Sequence, residues 1–204
     1  MITKHGVESM PIKFVGLHAH SVAGSIFDAL GYPQEHMDFA WGNGSDALAL
    51  TDHGNMNGLA YQVLHAKKMK KDGKVFKPIF GCEAYFIPSI SEWRSEYERI
   101  KADEDKSIDD SISGATVEDE AATKKENKSV LNRRRHLVLL AQNQQGLNNI
   151  FKLISESYKS ENFYRYPRMD YALLEKYNEG IIALSACLGG VYAGCYWENR
   201  EKGG

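Results

Sequence analysis

The sequence predicts an α/β fold with a parallel sheet or barrel. Short, near-continuous apolar runs alternate along the chain with longer stretches of helical period, and runs without polar alternation suit strands covered on both faces. With 204 residues, 43% hydrophobic and 25% charged, the chain can bury a sizeable core, and a composition this ordinary excludes collagen-like, coiled-coil and disordered classes.

The first strand is expected at Phe14-Val15-Gly16-Leu17, leading into His18-Ala19-His20. A helix over Gln34 to Trp41 is stopped by Gly42-Asn43-Gly44, and Ala47-Leu48-Ala49-Leu50 reads as a buried strand. Gly58 to Lys71 forms the next helix, with Leu59, Val63, Ala66 and Met69 on one side and lysines at its C-terminal end, where the helix dipole favours cations. Lys77-Pro78-Ile79-Phe80 opens a strand that continues through Gly81 to Ile87. His136 to Ala141 is a further strand, followed by an amphipathic helix that carries Leu147, Ile150, Phe151, Ile154 and Tyr158. Gly180 to Ser185 is a fifth strand and Val191 to Asn199 a final helix. Between Ser91 and Arg135 no apolar period is sustained. Residues 92–120 hold 11 acids against 4 bases, and 121–135 hold 6 bases against one acid. Such blocks read as a charged surface insertion at about 91–135, with a short helix around Ser91 to Lys101. Its basic end, Arg133-Arg134-Arg135, is open to two readings: a solvated approach to the strand, or a contact to a phosphate backbone.

The formal charge of −2 gives no whole-chain signature of nucleic-acid binding. No apolar run is long enough to span a membrane, and the start of the chain lacks the apolar segment of a secretory leader. Three cysteines do not make a disulfide framework, and a cytoplasmic location is expected.

Chemistry concentrates where strands begin or end. In His18-Ala19-His20 residues two apart share a strand face, so both imidazoles can address one site, although His-x-His alone is equally compatible with structural histidines. Leu50-Thr51-Asp52-His53-Gly54 turns from apolar to ionisable at a strand's C-terminal end, the catalytic face of (β/α) barrels. Glu83, between Phe80 and Tyr85, is costly to bury unless it meets a cation. His136 starts a strand and Cys187 follows one; singly, each has a plain reading as a core histidine and a small hydrophobe. Cys82 and Cys195 are read as such hydrophobes, and His5, His36 and His65 as surface or helix-face residues. Repetition across successive strands argues instead for mixed N/O/S ligation of zinc, manganese or iron, and for metal-assisted hydrolysis. No GxxxxGK[ST], GxGxxG or GxSxG motif supports an ATPase, dehydrogenase or serine hydrolase.

Five ordered motifs, Leu17-His18-Ala19-His20-Ser21, Leu50 to Asn55, Lys77 to Tyr85, His136 to Ala141 and Leu184 to Gly190, resemble the polymerase and histidinol phosphatase (PHP) domain. Gly146-Leu147-Asn148-Asn149-Ile150 and Tyr164 to Asp170 narrow the resemblance to the PHP domain at the N-terminus of bacterial replicative DNA polymerase III α subunits. The resemblance implies a distorted (β/α)7 barrel with metal ligands at His18, His20, Asp28, His53, Glu83, His136 and Cys187, and with Asp52 outside the ligand set, orienting a ligand or capping its turn. Asp28 matches with one residue more after Ser21 than the family pattern has. It further implies up to three divalent ions, zinc and/or manganese, with magnesium belonging to the polymerase part, and a 3′–5′ exonuclease or other phosphoesterase activity. The expected partners are the remainder of the α subunit, DNA at the primer 3′ end and a separate proofreading exonuclease; no membrane is expected. Residues 1–12 read as an N-terminal extension and 13–204 as the PHP domain.

The family completes its site with an Asp-x-His that this sequence does not reach, so the barrel is expected to be incomplete at its C-terminal end, with weak or no nuclease activity and limited solubility of the chain alone. Two other readings stand beside this one: a free-standing PHP phosphatase acting on a small phosphate ester, and a metal-stabilised scaffold of the polymerase without catalysis.

Overall fold

The computed structural model describes residues 14–111, 127 and 129–201. The expected extension at 1–12 and the centre of the expected insertion lie outside these residues. The chain forms an α/β structure in the order α1 (Pro33–Gly42), β1 (Ala47–Leu50), α2 (Leu59–Lys71), β2 (Lys77–Phe86), α3 (Ile90–Ser111), β3 (Arg135–Ala141), α4 (Gln144–Ser157), β4 (Phe163–Tyr164), β5 (Tyr166–Met169), α5 (Tyr171–Lys176), β6 (Ile181–Leu184) and α6 (Val191–Glu201).

β2 is the pivot. Its first half pairs in parallel with β1, Leu50 opposite Phe80, and its second half pairs with β3 on one side and β5 on the other. The sheet runs β4-β5-β2-β3-β6, and among the described residues it does not close into a barrel. Residues 14–20 follow β1, with Gly16 bridged to Leu48 and the Ala19 carbonyl accepting from Thr51 N–H, so the expected first strand is present as an extended segment with a single ladder bridge.

The sheet is mixed, which corrects the parallel expectation. β3 runs antiparallel to β2, with Glu83 opposite Val138, and β6 runs antiparallel to β3. The excursion after β2 leaves and returns at the same end of the sheet. A strand entered in that way must run back along its neighbour.

Strand alternation separates two faces. Cys82, Ala84 and Phe86 of β2 and Leu139 of β3 pack against Ile150 and Leu153 of α4. Met37 of α1 and Met69 of α2 cover Leu48 and Leu50 on the β1 side. The opposite face carries Ala49, Val138 and Leu140, and it is the face from which Glu83 and His136 project.

Two further expectations change, and one stretch gains elements that none foresaw. The helix expected near 91–101 spans Ile90–Ser111, and Ile90, Trp93 and Ile100 form a buried stripe in its first half within the charged sequence. The β4–β5 hairpin and α5 occupy a stretch with no apolar period. Asp170 links α5 to α3, accepting from Leu173 N–H and from Ile90 N–H at 2.9 Å each. Cys195 is exposed on α6 rather than packed as a hydrophobe, while Cys82 is buried. No helix among the described residues is long and apolar enough to cross a membrane.

Candidate metal centre

All the residues singled out on strand ends meet at one end of the sheet. The segment 14–20, β1 and β6 deliver His18, His20, His53 and Cys187 from their C-terminal ends. Antiparallel β3 delivers His136 from its start, and β2 contributes Glu83 from its middle.

Glu83 is the centre of the group and is fully buried. Its Oε2 lies 3.1 Å from His18 Nε2, 3.0 Å from His20 Nε2 and 3.2 Å from His53 Nδ1. Its Oε1 lies 3.0 Å from His136 Nδ1 and 3.8 Å from Cys187 Sγ. Burial works to raise the Glu83 carboxyl, but the His136, His20 and His18 imidazoles beside it hold it well below the usual carboxylate range. Burial lowers the His20 imidazole, yet Glu83, Asp28 and Asp52 lift it above its ordinary value. His53 is shifted down, by burial and by the charge of His20.

Glu83 Oε2 makes no hydrogen bond despite its three near neighbours, and neither does His53 Nδ1. Acceptors crowded together without shared protons are what a cation organises. Donors placed about 2.1 Å from one ion stand about 3–3.5 Å apart, the spacing found around Oε2. Two ligand groups share the carboxylate, His18 with His20 and His53 with His136. The donor set therefore fits divalent ions of the zinc or manganese type.

The loops that hold these side chains are fixed by Asp52. It is buried and turned away from the cluster, with Oδ1 accepting from Ser21 N–H at 2.6 Å and Ser25 Oγ–H at 3.0 Å, and Oδ2 from Ser21 Oγ–H at 2.8 Å. Ser25 Oγ in turn accepts from His53 N–H, tying the turn after His20 to the turn after β1. That turn carries Asp28, whose Oδ2 lies 2.7 Å from His53 Nε2, on the far side of the ring from Glu83. Gly54 permits the chain to leave His53 at φ +68°, where a Cβ would stand 2.8 Å from Pro167 Cγ. Ala186 adopts φ +60° immediately before Cys187, a conformation that costs a residue with a side chain about 1 kcal/mol or more.

Sequence reasoning missed the aromatic lining beside the cluster and left open whether the basic run Arg133-Arg134-Arg135 meets solvent or a phosphate backbone; the structure sets Arg134 beside the site. Tyr85 stacks on His53 with centroids 5.7 Å apart and leans on Tyr166 at 4.9 Å. Arg134 lies over the Tyr166 ring at 3.7 Å, while Arg135 pairs with Glu198. Period two would have found both neighbours, since Tyr85 is two residues from Glu83 and Arg134 two from His136. His36 and His65 lie on helices as expected, with His65 2.9 Å from Asp38; His5 lies outside the described residues.

The PHP domain family matches residues 16–202. The DNA polymerase III subunit alpha of Aquifex aeolicus is 39% identical over 87% of this chain, and that of Chlamydia muridarum is 35% identical over 92%. In both cases the chain spans 12% of the relative's length. A solved amidohydrolase from Chromobacterium violaceum overlaps 70% of this chain and 34% of its own at 16% identity and a TM-score of 0.36, too slight a likeness to carry an argument. The strand-end histidines, the buried glutamate they surround and the match along nearly the whole chain lead to one conclusion: the chain belongs to the PHP domain family and is homologous to bacterial DNA polymerase III α subunits.

Proposed function

We propose that residues 13–204 are the PHP segment of a DNA polymerase III α subunit, a nucleotidyltransferase of DNA replication. In this reading the segment holds a divalent metal cluster and hydrolyses phosphodiesters at a DNA 3′ end. The observation that supports it is Glu83: a buried carboxylate with four imidazoles within 3.2 Å and a thiol at 3.8 Å. His18, His20, His53, Glu83, His136 and Cys187 hold the ions, zinc and/or manganese and up to three of them, with Asp28 closing the open side of His53. Bound ions of this kind supply a water that ionises near neutral pH and a clamp on phosphoryl oxygens.

The chain's own groups do the rest. Glu83 presents Oε2 to His18, His20 and His53 and Oε1 to His136 and Cys187, and neutralises the charge gathered there. Asp52 keeps the His20 and His53 turns in register without touching the cluster, and Asp28 fixes the orientation of His53 through Nε2. The partners in this reading are the remainder of the α subunit, DNA and a separate proofreading exonuclease, in the cytoplasm.

The test is metal analysis of the purified chain together with hydrolysis of bis-p-nitrophenyl phosphate in Mn2+ or Zn2+. The paired change His18→Ala, His20→Ala is expected to abolish both metal retention and hydrolysis. If it lowers only thermal stability and leaves the parent chain's hydrolysis, however weak, unchanged, the cluster is a scaffold and the catalytic reading fails.

A further inference from the structure

A cavity of about 490 Å3 opens directly beside the cluster and shares His53 and His136 with it. Its lining has a peculiar chemistry. Two cations enter it, Arg134 and Arg165, and the remaining surface is largely aromatic: Phe27, Tyr158, Phe163 and Tyr166. Phe27 is wholly exposed, a costly position for a phenyl ring with no occupant to cover it. Tyr158 and Phe163 stack on each other with centroids 5.8 Å apart and leave about half of each surface open.

The amide, serine and carboxylate groups of the lining are already committed. Asn55 Nδ2 donates to the Gly24 and His53 carbonyls, and its Oδ1 accepts from Asn57 N–H. Ser25 Oγ is held by Asp52 and His53. Asp28, the carboxylate of the lining, is engaged by His53. What faces the cavity is therefore guanidinium and ring surface.

Both arginines are placed by structure. Arg134 lies flat over Tyr166, donates from Nη1 to the Asn132 carbonyl at 3.0 Å, and keeps a buried Nε–H without a partner. Arg165 sits at φ +59° at the tip of the β4–β5 turn. Beneath them Arg168, fully buried, holds the frame: it donates to the carbonyls of Tyr164 at 2.8 Å, Tyr166 at 3.0 Å and Leu131 at 2.6 Å, and its guanidinium lies 4.4 Å from the Trp93 ring centroid. One side chain thus locks the hairpin turn that carries Arg165 to the segment that carries Arg134.

We propose that Arg134 and Arg165 are the substrate-positioning residues of this site, seating the end of a single-stranded nucleic acid with its phosphates on the two guanidiniums and its terminal bases on the aromatic wall, whatever those bases are. The inference rests on the phosphodiesterase reading above and deepens it. Guanidiniums recognise phosphate through paired N–H groups, and ring faces stack on every base alike, so a lining of these two kinds binds without reading sequence.

The experiment measures fluorescence anisotropy of the full chain with short 5′-fluorescein-labelled oligonucleotides in EDTA, where no hydrolysis occurs and binding is read apart from metal. Arg134→Gln and Arg165→Asn, the latter chosen because asparagine tolerates a left-handed backbone, are each expected to weaken binding about 10-fold. Arg134→Lys keeps the charge but not the flat stack and should restore only part of the loss. Oligonucleotides of different sequence should bind alike, and one with abasic terminal positions about 10-fold more weakly. Unchanged affinity in both arginine variants overturns the proposal, as does a strong preference for one base. A chain that binds in the expected way but retains no metal overturns the metal reading alone. One that retains metal and hydrolyses the simple diester, yet binds oligonucleotide independently of both arginines, overturns this inference alone.

Discussion

At the end of the sheet where β1 and β6 finish and β3 begins, partly exposed imidazoles and an exposed thiol crowd around one buried carboxylate. At the opposite end the same strands line a cavity of about 440 Å3 walled by Leu17, Ile79, Phe80, Leu140, Ile182 and Leu184. The first end depends on geometry, because a buried carboxylate or imidazole displaced by an ångström loses its compensation. The second depends on surface area alone and tolerates any side chain of similar size. The lesson is that one set of strands supports two regimes, a polar end with little slack and an apolar end with much.

Breaking the polar end should therefore cost most at its centre. Glu83→Ala removes the one buried acid shared by both ligand groups and leaves four partly exposed imidazoles facing one another without it; a loss of about 3 kcal/mol in denaturant unfolding is expected, together with loss of metal retention. An unfolding midpoint close to the parent's would show that the glutamate is not the organising group. Arg168→Met should follow, at about 3 kcal/mol, because the carbonyls of Tyr164, Tyr166 and Leu131 lose their donor together. Equal or greater stability of that variant would mean that the buried guanidinium is replaceable by packing. Asp52→Asn, which keeps one acceptor oxygen where two serve three donors, is expected to cost about 1–3 kcal/mol and to weaken metal affinity about 10-fold in a chelator competition. The smallest effect belongs to the apolar end. Ile182→Lys, on a strand at the sheet's end and at a residue 46% exposed, should change stability by no more than about 0.5 kcal/mol and raise solubility by charging the edge. A large loss there would erase the contrast between the two ends.

Much of the polar end was legible because its residues are chemically expensive. A glutamate inside Phe80 to Tyr85 and histidines at the margins of apolar runs conflict with burial, and such conflicts show in sequence. Ala47 to Leu50, a continuous apolar run, and the α4 stripe, which is periodic, were equally plain. The course of β3 was not, since strand direction depends on where the preceding excursion returns and not on the strand's own residues. Nor was Arg168: its partners are backbone carbonyls, one of them 37 residues away, and no side-chain pattern marks a carbonyl. α3 hid its buried residues Ile90, Trp93 and Ile100 among so many charges that the stretch read as solvated.

The reversal of β3 also bears on how the molecule assembles. Cys187 and Glu83 meet across 104 residues of chain, and His136 and Cys187 across 51. Contacts of such long range form only after the loops between them have closed, which slows folding and places these unions late. A chain whose sheet has not yet gained β3 and β6 has only part of the ligand set in place. Ions supplied during refolding would then act as a check on completion, retained by chains that have finished and released by those that have not.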